Sequence, residues 1–176
     1  MSKTDSKPLA SAIGIFKQYK ELGTKAMQQL PSEGFHWKPE PESNSIYLIV
    51  KHLHGNMKSR WTDFLTSDGE KPWRQRDEEF EDELVSDEDI LNIWDEGWQV
   101  LFDTLESLND AQLSEIVYIR SEAHSVLEAI NRQIAHYSYH VGQIVFLAKA
   151  VKSSSWQSLS IPKKKSAEFN RNMNHL

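Results

Sequence analysis

The sequence predicts an all-α fold, a four-helix bundle with a long crossover connection before the last helix. Three observations carry that expectation. Four long segments repeat apolar residues at three- and four-residue steps, stretches rich in breakers separate most of them, and no set of alternating strands competes. At 176 residues with 39% hydrophobic content, the chain is large enough for one substantial core and short for two, so a single domain over 1–176 is expected.

Residues 1–7 are polar and expected to be disordered. Helix one is predicted from Pro8 to Leu30, with Leu9, Ile13, Phe16, Tyr19, Leu22, Met27 and Leu30 on its apolar stripe. "PSEGFHWKPEPES" is too dense in proline and glycine to continue it and reads as a loop in which Phe35 and Trp37 fold back as plugs. Ser43 or Ser45 then caps helix two, from Ile46 to Thr66, whose stripe is Ile46, Val50, Leu53, Met57 and Phe64. Gly69 and Pro72 break the chain inside "SDGEKPWRQRDEEFEDE". Its Trp73, Arg74 and Arg76 are recognition residue types, but a charge run is more often an ion-paired, solvated loop than a lid.

Helix three starts at the capping pattern "SDED", Ser86 to Asp89, and ends near Asn109. Its Trp94 and Trp98, like Trp61 of helix two, are expected in the core or at a subunit interface. "IVYIR" alternates like a strand but is too isolated to build a sheet, so it is read as an extended crossover. Helix four is predicted from His124 to Lys152, the longest apolar stretch, followed by a polar tail over 153–176 with anchors Trp156, Leu159, Ile161 and Phe169.

The net charge of −6 leaves no electrostatic footprint for nucleic acid, and Lys163, Lys164 and Lys165 read as solvated surface. With no cysteine, disulfides, thiolate metal ligands and a cysteine nucleophile are excluded, so any metal must sit on nitrogen and oxygen. Neither a signal-peptide core nor a membrane span is evident, which makes the cytoplasm the expected location and a membrane partner unexpected.

"AHYSYHVGQI" places His136 and His140 four residues apart inside helix four. That spacing offsets them by about 40° around the axis, so their rings reach one point. Buried imidazoles need partners, either a hydrogen-bonding neighbour each or one shared ion. A bare pair is a weak signal, because two independently satisfied histidines give the same pattern. "VKHLHGN" of helix two offers His52 and His54, on nearly opposite sides of the axis, so at most one can join, and periodicity does not choose between them. His36, His124 and His175, in a loop, at a helix start and at the terminus, need no special role.

Taken together, "HYSYHVGQI" resembles the fourth-helix motif HxxxHxGQ of the DinB-like (DinB/YfiT) superfamily, and "IVKHLHGN" resembles its second-helix motif. "SRWTDFLTSDGEKPWRQRDEEF" and "SLSIPKKKSAEFN" look like an uncharacterised bacterial branch of that superfamily. The resemblance implies a four-helix bundle, commonly a homodimer, with His52, His136 and His140 as ligands of a divalent ion, variously zinc, nickel, iron or manganese. His54 is then a bystander. Related proteins include transferases that use low-molecular-weight thiols such as bacillithiol.

Three neutral ligands leave an ion its charge and at least one exchangeable position, as in catalytic rather than closed sites. Unlike HExxH hydrolases, neither motif holds a carboxylate base. The flanking groups are Asn56, Arg60, Arg132, Gln133 and Gln143, of which Asn56, Arg60, Arg132 and Gln143 are the candidate substrate contacts; no catalytic group is assigned. This set suits an anionic or thiol substrate better than self-sufficient hydrolysis, and the resemblance then implies thiol-dependent S-transfer on a small molecule as the first reading. The alternatives are a metal-dependent hydrolase that recruits Asp63, Asp95 or Glu96, and a non-catalytic metal- or ligand-binding dimer in a stress response.

Overall fold

The computed structural model describes residues 7–173 and is mostly helical, with five α-helices and one two-stranded antiparallel sheet among those residues. The expected disorder of residues 1–7 lies, apart from Lys7, outside the described residues. Helix α1 spans Pro8–Met27, α2 Ile46–Trp61, α3 Asp87–Ser107, β1 Ile116–Ile119, β2 Glu122–Ser125, α4 Val126–Lys152 and α5 Ser166–Met173. The four long helices share one core: α2 lies against α3 and α4, and α1 against α4 and α3. Trp61, Trp94 and Trp98 are buried in it, around Phe16 and Tyr137. No helix among the described residues is long and apolar enough to cross a membrane.

Helix starts follow side-chain chemistry. Ser45, Ser86 and Ser125 each accept a hydrogen bond from the backbone N–H three residues on, and Glu128 completes a capping box on Ser125. His124 therefore lies before α4, in β2. Helix α2 ends at Trp61, short of the expected Thr66, because the chain turns through Thr62 in an extended conformation and Asp63 at φ 49°; Phe64 still reaches the core from that turn. Phe35 plugs the first loop as expected, whereas Trp37 stays 40% exposed. Of the tail's anchors, Trp156 and Leu159 pack on the core, and Ile161 and Phe169 do not. Two hydrogen bonds between Gln157 and Gln29 strap the tail to the end of α1.

The segment before α4 corrects the expectation of an extended crossover too isolated to build a sheet. It is a β-hairpin, with Ile116 opposite Ser125 and Ile119 opposite Glu122. Val117 and Ile119 bury while Ile116 and Tyr118 face out, which is the alternation visible in "IVYI". A lone hairpin is marginal in water, and tertiary ties sustain this one. Its two turn residues, Arg120 and Ser121, both have positive φ, and their N–H groups donate to the Asp68 carboxylate at 2.8 and 2.7 Å. Gly69 N–H donates to Tyr118 O.

Burial pushes the Asp68 carboxyl up, and hydrogen bonds from the N–H groups of Glu70, Ser121 and Arg120 outweigh it, holding it below its ordinary value of 3.8. A depressed carboxyl contributes stability above that value and loses it as pH falls through the lower folded-state value. Asp68→Ala is therefore expected to cost about 1–2 kcal/mol at pH 7, the range of charge-assisted bonds discounted for partial exposure. Urea midpoints of the two proteins should converge as the pH is lowered below 3.8.

Candidate metal centre

Helices α2 and α4 present facing stripes at four-residue steps. His52, Asn56 and Arg60 follow one another along α2, and Arg132, His136 and His140 along α4. All six line one cleft of about 500 Å³, together with Arg74, Arg76, Phe80, Arg120 and Gln133. At its histidine end, one ring nitrogen from each of His52, His136 and His140 lies within 4.8 Å of the other two. The structure thus chooses His52 over His54, a choice that helical periodicity leaves open. His54 Nε2 instead meets Glu96 Oε2 at 2.9 Å, and Lys58 closes that surface pair.

The protonation pattern suits a cation. Arg74 donates from Nε and Nη2 to the two carboxylate oxygens of Glu79, at 2.7 and 2.9 Å. Glu79 Oε2 also stands 2.9 Å from His52 Nδ1. Burial pushes the Glu79 carboxyl up, but the bonds from His52 and Arg74 prevail and hold it below its ordinary value. An ionised carboxylate only accepts, so His52 Nδ1 donates to Glu79, and the ring's Nε2 faces His136 Nε2, 3.4 Å away. Two imidazole nitrogens on a tetrahedral ion at ~2.0–2.1 Å stand about 3.4 Å apart, so the spacing fits. His140 Nδ1 donates to Gln143 Oε1 at 2.8 Å, leaving its Nε2 free to ligate.

Burial pushes the His136 pKa down to about 3, with further repulsion from His140, His52, Arg60 and Arg74. It pushes His140 down to about 4, helped by His52 and opposed by Gln143. Both are held neutral, the form that binds metal. The donor set, three imidazoles with a carboxylate behind one of them, fits a divalent ion of the zinc, nickel, iron or manganese kind.

The loop between α2 and α3 is ion-paired, as expected, but its Arg74–Glu79 pair is buried rather than solvated. Trp73 does face out, at 51% exposure. Arg74 and Glu79 are buried against each other, and Phe80 stacks on the His52 ring with centroids 5.2 Å apart. Glu79 is the residue of this candidate site that sequence reasoning misses. One signal was in the quoted motif: Gly55 sits inside a helix, where glycine costs about 1 kcal/mol relative to alanine. A Cβ there would stand 2.2 Å from Glu79 Oε1, so the missing side chain makes room for this carboxylate.

The other predicted residues divide. Asn56, Arg60 and Arg132 line the cleft with the histidines, whereas Gln143 lines a neighbouring groove with Tyr139 and Phe146 and reaches the centre only through His140. Asp63 is exposed, Asp95 pairs with Lys20 and Glu96 with His54 and Lys58. None of these three carboxylates lines the cleft. His36 packs on Tyr47 with the rings tilted, His124 lies on the hairpin, and His175 falls outside the described residues.

A family model described as "Protein of unknown function (DUF1572)" matches residues 4–165. No curated protein and no solved structure matches the chain.

Proposed function

Because the chain belongs to the DUF1572 family of proteins of unknown function, we propose that it is a divalent-metal enzyme of the DinB-like type, a four-helix bundle that catalyses thiol-dependent S-transfer. The observation that carries this reading is the convergence of three imidazoles at the end of a cationic cleft. His52, His136 and His140 would hold the ion, with Glu79 and Gln143 setting the ring orientations of His52 and His140. When bound, a divalent ion with open positions supplies a Lewis acid that lowers the pKa of a thiol or water reaching it.

The chain's own groups favour the thiol. Glu79 is engaged by Arg74 and His52 on the far side of the ring, and among the described residues no carboxylate lines the cleft to take a proton from water. A thiol needs no strong resident base, since its ordinary pKa of about 8.5 lies far below that of water. Asn56, Arg60 and Arg132 are then the substrate contacts, and Gln143 is a positioning residue behind His140.

The test is consumption of a bacillithiol-type thiol against an alkylating electrophile, with protein loaded in turn with zinc, nickel, iron(II) or manganese. At least one ion should raise the rate, and His140→Ala should remove the increase. Thiol consumption indifferent to every ion would sink the transferase. Metal-dependent ester hydrolysis without thiol dependence would replace it with a hydrolase.

A further inference from the structure

The cleft has a second end, and its chemistry is not used by the three histidines. Five arginines line the cleft, Arg60, Arg74, Arg76, Arg120 and Arg132, and among the described residues no acidic side chain lines it, on a chain whose net charge is −6. Arg74 is matched by Glu79 and Arg120 by Glu70 at 3.1 Å. Among the described residues, Arg60, Arg76 and Arg132 hold no carboxylate.

Arg60 is the unusual one. It is only 4% exposed, and its Nε and Nη1 are covered and have no hydrogen-bond partner. A buried guanidinium without a counter-charge costs free energy, and proteins rarely keep one unless something pairs with it. The local structure holds it in place. Gly69, fixed by Ser59 Oγ on its carbonyl and by Tyr118 O on its N–H, packs against the guanidinium, and a Cβ there would stand 2.4 Å from Nη1.

A neighbouring donor is set by a relay. Trp61 Nε1 donates to the Tyr137 hydroxyl at 3.1 Å, and that hydroxyl passes its one proton to Asn56 Oδ1 at 3.0 Å. The Asn56 amide is thereby turned so that its carbonyl faces Tyr137 and its NH2 is free for the cleft. Arg132 stands across from Arg60, one helical turn from His136 on α4.

We infer that this end of the cleft is an oxyanion subsite, in which Arg60, Arg132 and the Asn56 amide bind a carboxylate or phosphate group of the substrate. Arg132 precedes His136 by four residues and Arg60 follows His52 by eight, so the anionic group sits about 6–12 Å along the helices from the histidine centre. The substrate is therefore a small molecule with a compact anion at one end and its reacting group at the other. The inference rests on reading the cleft as a substrate site, and it is independent of which ion binds and of which reaction follows.

The test is calorimetric titration of the full chain with inorganic phosphate and, separately, with malonate at low ionic strength. Wild type, His136→Ala, Arg60→Met and Arg132→Ala are compared. The expected result is binding that survives His136→Ala and weakens about tenfold or more in each arginine variant. The tighter of the two probes names the group. Arg60→Met should also raise the Tm of ligand-free protein, because it removes a buried charge with no partner. Arg132→Ala, at an exposed position, keeps the test valid should the Arg60 variant fold poorly. Binding lost in His136→Ala, binding unchanged in both arginine variants, or no binding by wild type would each overturn the subsite.

Discussion

Protein reconstituted with a divalent ion and freed of excess should carry close to one ion per chain, and His52→Ala, His136→Ala and His140→Ala should each carry almost none. His54→Ala should match wild type. The contrast follows from geometry: the first three rings put nitrogens within 4.8 Å of one another, while His54 points to Glu96 on the surface of α3. Metal content by plasma mass spectrometry reads the outcome directly, and circular dichroism confirms that each variant is folded. Two nitrogens remaining after one deletion leave water to fill the lost position, which lowers affinity enough for a modest chelator to strip the ion. Wild type devoid of metal after reconstitution, or equal loss in His54→Ala, would remove the metal centre and the enzymatic reading with it.

How legible this centre was in the sequence depended on the range of each interaction. The i, i+4 pair on α4 could be read from spacing because a helix fixes side-chain direction over one turn. The third ligand could not, since His52 and His54 flank the apolar stripe of α2 and only the packing of α2 on α4 selects one edge; the family resemblance supplied that choice. The starts of α2 and α3 were readable to within a residue or two from serine caps. The hairpin was not credited because its stability lies outside it, in Asp68 and Gly69, some 50 residues earlier. The same holds for Glu79, whose fate is set 27 residues upstream by His52 and by the gap at Gly55. A charge run between breakers looks solvated whenever its partners are distant in sequence. Here Arg74 and Glu79 satisfy each other, and the pair becomes cheap to bury.

Glu79→Gln should produce the largest combined effect on stability and metal affinity of any substitution outside the three ligands. The amide can still accept from His52 Nδ1, but its NH2 then meets the Arg74 donors, and a guanidinium whose side chain is 2% exposed loses its hydrogen-bonded counter-charge and keeps only Glu70 at 3.8 Å. Breaking one side of a buried pair costs about 3–5 kcal/mol. Loss of the carboxylate behind a metal-binding histidine lowers metal affinity about 10–100-fold. The two effects separate in the double variant Arg74→Met with Glu79→Gln. Removing the stranded charge should restore much of the stability, read as the urea midpoint of metal-free protein, while the affinity measured by chelator competition stays low because His52 has still lost its carboxylate. Gly55→Ala should act in the same direction by pushing Glu79 out of its notch, with Arg74 and Glu79 themselves unchanged. Should the double variant recover both stability and metal affinity, Glu79 would serve only to neutralise Arg74, and the orientation of His52 would have to come from the stacked Phe80 ring instead.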